Sequence, residues 1–352
     1  MKIALVGCGK IADGHVEQIQ RNAELVAVCD REALLAEQLA TRYGVARYYD
    51  DFEAMLAREH PDVVHITTPP SSHLPLARLA LAAGCHLFVE KPLAPSLEEA
   101  RALVDAARRA GKKLTVGYTY LFDPPALEMR ARMNEIGEVV HVESFYGYDL
   151  SGDYGSAVLS DASHWVHALP GGGLLFNNID HLLNKLVEFI DDESPAIQAL
   201  AYRRHPSGLP DELRVMIGGE TVSAFATFSS HIRPNGHFCR VYGTRGSLEV
   251  DYVSRTVVSR ARPTLPSALG RVLPPFAQAA RLVRAGLQNS ERFARADFQF
   301  FAGLERLIRD FYASIRDDRD PPIAYRDILR IASWMHTIMA QISPPKAHQE
   351  AS

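Results

Sequence analysis

The sequence predicts a two-domain chain: an α/β domain with a doubly wound parallel sheet over residues 1–122, then an α+β domain with an open-faced, mostly antiparallel sheet over 123–345. Three observations carry this. The first 120 residues alternate short β-branched or apolar runs with longer helix-period stretches, as a parallel sheet covered on both faces requires. A glycine-rich turn follows directly on the first apolar run. Beyond Tyr118–Pro125 the pattern changes to strands that alternate polar and apolar residues, as in a sheet with one face on the core.

In the first domain, strands are expected at 2–6, 25–29, 46–49, 63–67, 86–89 and 114–117, with helices between them and turns at Gly44, Gly84 and Gly111. Ser96 and Glu99 form a capping box for the helix that ends near Gly111. In the second domain a helix over 126–136 precedes strands at 139–148, 197–203, 213–217, 222–229, 238–242 and 248–251. Leu182, Leu183, Leu186, Val187 and Ile190 recur at helical spacing, so a helix is expected over 178–189. Helical periodicity returns over 300–316 and 328–342.

Residues 255–297 carry eight arginines against Glu291 and Asp297, around apolar stretches. They read as a helical insertion packed on the sheet or at a subunit contact, since arginine stems cover apolar surface readily. The same composition also suits a membrane-surface patch or a groove for a diphosphate-bearing substrate.

The chain has 352 residues, 47% hydrophobic and 23% charged, which excludes disorder and disulfide-stapled miniproteins. A net charge of -4 names no polyanionic partner, so no nucleic acid is expected. No run approaches the roughly 18 apolar residues of a membrane span, and the N-terminal apolar stretch is too short for a signal peptide, so the expected location is the cytoplasm. Cys8, Cys29, Cys85 and Cys239 lack metal-like or paired spacing and read as buried small apolar residues. No metal site is expected.

The first strand runs into Gly7-Cys8-Gly9-Lys10-Ile11-Ala12, a GxGxxA turn that opens a helix. Gly7 permits the tight turn, Gly9 lets backbone N–H groups approach a pyrophosphate, and Ala12 allows close helix–strand packing. The helix N-terminus favours the anion. Asp30 stands 21 residues beyond Gly9, at the end of the second strand, where a carboxylate accepts from the ribose hydroxyls and repels a 2′-phosphate. NAD is therefore expected over NADP, although the adjacent Arg31 is placed to receive a 2′-phosphate. The loop containing Thr68, Pro69 and His73 lies at the carboxyl edge of the sheet, where ligands of open α/β folds bind.

After the fifth strand comes Glu90-Lys91-Pro92. A lysine there, partly desolvated and facing a positively charged nicotinamide, is suited to sharing a proton with a substrate oxygen. A second constellation is the Gly171-Gly172-Gly173 turn followed by Asn177 and His181, four apart on one helical face, so that an amide and an imidazole can address one substrate. Tyr118 and Tyr120 precede the domain junction, and Trp165 with His164 and His167 precedes the triple glycine. Tyr118 and Trp165 are candidate substrate contacts.

Taken in order, the GCGKIA turn, Asp30, the TPPSSH loop, EKP, Gly117-Tyr118 with Phe122-Asp123-Pro124, GGG with Asn177 and His181, and Pro321-Pro322 with Asp327 make the chain resemble a known family. This is the glucose–fructose oxidoreductase / inositol dehydrogenase / MocA family. The resemblance implies a Rossmann domain, an open-faced sheet domain whose outer surface commonly forms a homodimer or homotetramer interface, and NAD(P)-linked chemistry at a hydroxyl carbon of a sugar, cyclitol or nucleotide sugar. It assigns Lys91 to the lysine that contacts substrate and nicotinamide, and His181 to the acid/base histidine. It places the cofactor against Gly7, Gly9, Lys10, Ile11, Ala12, Asp30, Arg31, Thr68, Pro69, His73, Glu90 and Lys91.

Asn177 departs from the aspartate that many members carry; some that act on nucleotide sugars have asparagine. Asn177 would then be a neutral group holding a neighbouring hydroxyl. Asp180, on a different helical face, is not expected to replace the missing carboxylate. With the arginine-rich segment, this departure favours a nucleotide sugar. The alternatives are a cofactor-retaining lyase or reductase on another substrate, and a non-catalytic NAD(H)-binding sensor.

Overall fold

The computed structural model describes residues 1–150, 152, 155, 158, 164–206, 208–261, 269–294 and 301–342. Strands β1 (Lys2–Val6), β2 (Glu24–Cys29), β3 (Tyr48–Tyr49), β4 (Val63–Ile66), β5 (His86–Val89) and β6 (Leu114–Val116) form one sheet in the order β3-β2-β1-β4-β5-β6. Every neighbouring pair is parallel. Ile3, Leu5, Val64 and Phe88 are all buried, so both faces are covered, which is why these strands read as continuous apolar runs. The cover comes from α1 (Ala12–Asn22), α2 (Ala33–Tyr43), α3 (Phe52–Glu59), α4 (His73–Ala82) and α5 (Leu97–Arg109). Ser96 caps α5 by accepting from the Glu99 N–H at 3.1 Å, an interaction worth about 1 kcal/mol. The strand order reverses between β1 and β4, which opens a crevice at their carboxyl ends.

The second sheet holds β7 (Val139–Asp149), β8 (Ala196–Tyr202), β9 (Glu212–Gly218), β10 (Ser223–Ser229), β11 (His231–Gly243), β12 (Gly246–Asp251) and β13 (Thr256–Ala261), in the order β13-β12-β11-β7-β10-β9-β8. Only the β10–β7 pair is parallel. Its inner face (Val142, Ala224, Phe228, Val241, Leu248) is buried, whereas Val140, Leu200, Met216 and Phe225 are exposed on the strands. Helices α6 (Pro124–Ala131) and α7 (Leu174–Leu183) pack against this sheet.

Two expected helices change. The helix expected over 126–136 is α6 followed by a 3-10 turn at Met133–Glu135. The helix expected over 178–189 begins at Leu174 and gives way to turns after Leu183. Gly173 sets that start: its φ is +88° and an added Cβ would collide with the Val166 carbonyl, so only glycine fits.

Part of the arginine-rich insertion is strand β13, paired on β12, because Thr256, Val257 and Val258 are β-branched. The rest of its described portion is the 26-residue helix α8 (Leu269–Ala294). This helix is seated through polar groups, Arg281 on the Ser259 carbonyl and Asn289 on the Ser254 carbonyl, while Val272, Phe276, Val283 and Leu287 are exposed. Residues 262–268 and 295–297 of the insertion, the expected helix start at 300 and residues 343–345 of the expected second domain lie outside the described residues.

The chain ends with α9 (Ala302–Arg316) and α10 (Tyr325–Ile342). Helix α9 returns to the first sheet: the Tyr312 hydroxyl lies 2.8 Å from His65 Nε2, and His65 Nδ1 lies 2.9 Å from His15 Nδ1. The four cysteines are free and buried. No helix among the described residues is long and apolar enough to cross a membrane.

Candidate active site

The nucleotide turn is built as its residues require. Gly7 has φ +101°, and a Cβ there would sit 2.7 Å from the Thr68 main-chain nitrogen, so the β1 turn and the β4 loop pack backbone to backbone. A Cβ on Gly9 would meet no atom within 4 Å, so protein packing does not demand this glycine, whereas the close approach of a pyrophosphate does. Ile11 gives α1 no side-chain cap, which leaves first-turn N–H groups for an anion. The Asp30 carboxylate is oriented by the main-chain N–H groups of Cys8 at 2.7 Å and Glu32 at 3.0 Å. The residues present therefore fit a dinucleotide. Lys10, Ile11, Arg31 and Pro69 are exposed around this crevice, and Ala12 is buried beneath it.

Two expected cofactor contacts turn inward instead. His73 is fully buried, with its ring nitrogens 2.9 Å from the Leu93 carbonyl and 2.8 Å from the Thr68 carbonyl, so it fastens the loop and does not reach into the crevice. Glu90 is likewise buried: it accepts from the Lys91 N–H at 3.0 Å and lies 2.9 Å from His15, ending the His15–His65–Tyr312 chain. A Cβ on Gly117 would collide with the Glu90 carboxylate, which explains the glycine after β6. Burial is the largest effect on the Glu90 pKa and raises it, but the hydrogen bond and charge of His15 together with the charge and main-chain N–H of Lys91 outweigh it, and the net shift is downward.

Half-buried Lys91 extends from the end of β5 to α7, where its Nζ donates to the Asn177 carbonyl at 3.3 Å. That carbonyl belongs to the residue one helical turn before His181. The His181 side chain is 15% exposed, and burial together with the Lys91 and Lys185 charges holds its imidazole well below the usual histidine range. Asp180 is fully buried with neither carboxylate oxygen hydrogen-bonded, and its Oδ1 is 3.9 Å from His181 Nδ1, beyond bonding distance. Burial raises the Asp180 pKa to about 7 against the lowering effect of Lys91.

Of the aromatic candidates, Tyr118 is buried at 2% exposure. Tyr120 stands edge-on to the His181 ring at 5.1 Å, with Tyr146 of β7 at 5.4 Å. Trp165 is exposed and stacks on its neighbour His164 at 5.7 Å.

A family model for an oxidoreductase family with an NAD-binding Rossmann fold matches residues 1–118, and one for the GFO/IDH/MocA C-terminal domain matches 127–249. The chain belongs to the GFO/IDH/MocA oxidoreductase family. It is 34% identical over 189 residues to D-glucoside 3-dehydrogenase of Escherichia coli (strain K12), a match spanning 52% of each chain. It is 26% identical to scyllo-inositol 2-dehydrogenase (NAD(+)) of Bacillus subtilis (strain 168), over 70% of this chain and 73% of that one. The structure superimposes on the WlbA dehydrogenase of Bordetella pertussis, solved with NADH and UDP-GlcNAcA, with a TM-score of 0.77 and 18% identity, over 97% of this chain and 95% of that one. This last likeness concerns the fold.

The sequence reading missed Lys185 and His237. Lys185 is buried, its Nζ 2.6 Å from His237 Nε2 on β11 and 5.7 and 5.2 Å from the Tyr120 and Tyr252 ring centres. The signal for Lys185 was present: a lone lysine four residues after His181, between the apolar pairs Leu182-Leu183 and Leu186-Val187. For His237 no local signal exists, because it reaches the site through the pairing of β11 with β7, opposite Tyr146.

Proposed function

We propose that this protein is an NAD-dependent dehydrogenase acting at a hydroxyl-bearing carbon of a sugar, cyclitol or nucleotide sugar, with Lys91 and His181 as its acid/base pair. The observation that carries the reading is the Lys91 amine on the Asn177 carbonyl, one helical turn from His181. Gly7, Gly9, the start of α1, Asp30 and Thr68 would hold the dinucleotide. Bound there, the cofactor supplies the hydride acceptor. His181, neutral and close to solvent, takes the hydroxyl proton, and the Lys91 ammonium group donates to the same oxygen as negative charge develops on it. Asn177 and Trp165 contact the substrate away from the reacting carbon.

Asp30, held by two main-chain N–H groups, favours NAD because its charge opposes a 2′-phosphate, while the Arg31 guanidinium extends into solvent. The exposed apolar residues on the outer sheet face support self-association as a homodimer or homotetramer. Light scattering of the purified protein tests that association. The catalytic reading is tested by NADH formation from NAD across a panel of free hexoses, glucosides, inositols, uronates and uridine-diphosphate sugars. Turnover of any member supports it, and the preferred member separates free from nucleotide sugars. NADH binding with no turnover on the whole panel would overturn it.

A further inference from the structure

Lys185 is an expensive group to bury. It is 2% exposed, and among the described residues no carboxylate lies within ion-pairing distance of it. Removing a cation from water without a counter-charge costs several kcal/mol in general, so such a lysine is retained only where its charge or its contacts are used. Its contacts are specific. The ammonium group donates to His237 Nε2 at 2.6 Å, which leaves the His237 proton on Nδ1. It also faces the Tyr120 ring at 5.7 Å, and the same ring is in T-shaped contact with His181 at 5.1 Å. Tyr146 closes the arrangement by touching both His181 and His237.

We propose that Lys185 is a positioning residue for His181: by pinning His237 and drawing in the Tyr120 ring, it keeps the imidazole in edge contact with Tyr120 and Tyr146, and it holds a cation beside that ring. The inference rests on the reading of His181 as the acid/base group. It accounts for the asparagine at 177: a site whose base must start neutral has no use for a carboxylate that stabilises imidazolium, and a buried cation one turn away acts in the opposite sense.

The other charged groups around the pair do not reverse this. Lys91 approaches His181 from the end of β5 and adds to the positive charge. Asp180 is 3.9 Å from the histidine, but burial sets its pKa and that of Lys185 both at about 7, so on the acidic side, where an imidazole would protonate, the carboxyl is neutral and the lysine charged. Cys239 on β11, Asp180 and Asp123, preceding α6, favour the charged form of Lys185, its loss of hydration outweighs them, and Tyr252 presents its ring face.

The test follows the His181 carbon resonance by NMR in protein labelled at histidine Cε1 and saturated with NADH, titrated from about pH 5 to 9. The resonance is assigned by its absence in His181→Gln. In the wild type it should show no inflection at or above the ordinary histidine range. In Lys185→Met the inflection should rise by about one pH unit or more, the usual effect of removing a neighbouring like charge. His237→Gln, which keeps the lysine charge but alters its partner, should move the tyrosine ring resonances and leave the His181 inflection low.

Superimposable His181 titrations in wild type and Lys185→Met would overturn the proposal. So would a wild-type inflection at the ordinary histidine position, a result that stands even if Lys185→Met does not fold. His181→Ala assayed on the best substrate of the panel tests the underlying reading separately: full activity there removes the acid/base role of His181 whatever the NMR titrations show.

Discussion

The ammonium group of Lys91 and the main-chain carbonyl of Asn177 meet at 3.3 Å, tying the end of a strand in the parallel sheet to the helix that carries His181. The contact uses one lysine proton and leaves others for a substrate oxygen. Lys91→Ala should lower kcat by about a hundredfold or more, the usual contribution of a positioned proton donor. The NADH dissociation constant, read by fluorescence, should stay near the wild-type value. Retained turnover would remove Lys91 from the chemistry.

Gly7 and Gly9 should fail in different ways when replaced. Gly7→Ala forces a side chain into positive φ and against the Thr68 backbone, so it should destabilise the fold by about 1–3 kcal/mol or more, visible as a lower Tm. Gly9→Ala meets no protein atom, so its Tm should match the wild type while NADH binding weakens sharply. Equal loss of Tm in both variants would contradict this division of roles.

Asp30→Asn removes the charge but keeps an acceptor for the Cys8 N–H. The ratio of kcat/KM with NAD to that with NADP should fall by about tenfold, equivalent to 1.4 kcal/mol. An unchanged ratio would place cofactor selection elsewhere.

Asp180 and Lys185 should contribute opposite pH dependences to stability, to be read as differences between variant and wild type. The folded-state pKa of Asp180, about 7, lies above its ordinary 3.8, so its contribution is complete below about pH 4 and is lost as pH rises towards 7. That of Lys185, about 7, lies below its ordinary 10.5, so its contribution is complete only at high pH and is lost as pH falls through 7. Melting temperatures measured from about pH 4 to 10 test this: relative to the wild type, Asp180→Asn should remove a loss of stability that develops between about pH 4 and 7, and Lys185→Met a gain that develops between about pH 7 and 10. Variant and wild-type profiles that run parallel would contradict it.

Tyr312→Phe takes the hydroxyl from His65, which is fully buried. The loss should be about 1–3 kcal/mol, the cost of a buried polar group left unpaired. Because Tyr312 belongs to α9, the variant also measures how strongly that helix holds the parallel sheet. A neutral effect in denaturant titration would show that His65 finds another partner.

The parallel sheet was legible because its signals are local: apolar runs, helical periods, a glycine turn and an acidic residue at fixed spacing all lie within a few dozen residues. The helix bearing His181 was legible too, but its start was misplaced by four residues. Gly173 ends the preceding turn only because the Val166 carbonyl lies against it, a contact that no local pattern reports. His73 and Glu90 were read as cofactor contacts from their place in loops at the sheet edge. Their inward orientation follows from partners at distant positions, Leu93 for one and His15 for the other.

The sequence by itself determined the two sheets, the order of the motifs, and the choice of Lys91 and His181 as the reactive candidates. Only the tertiary structure decided which polar groups lose their water and whom they face when they do. Lys185 and His237 are 52 positions apart and meet because β11 pairs with β7 over the helix end. Periodicity records which side of an element is apolar. The protonation of a buried group depends on the whole shell of charges around it, and that shell exists only once distant strands and helices have closed over it.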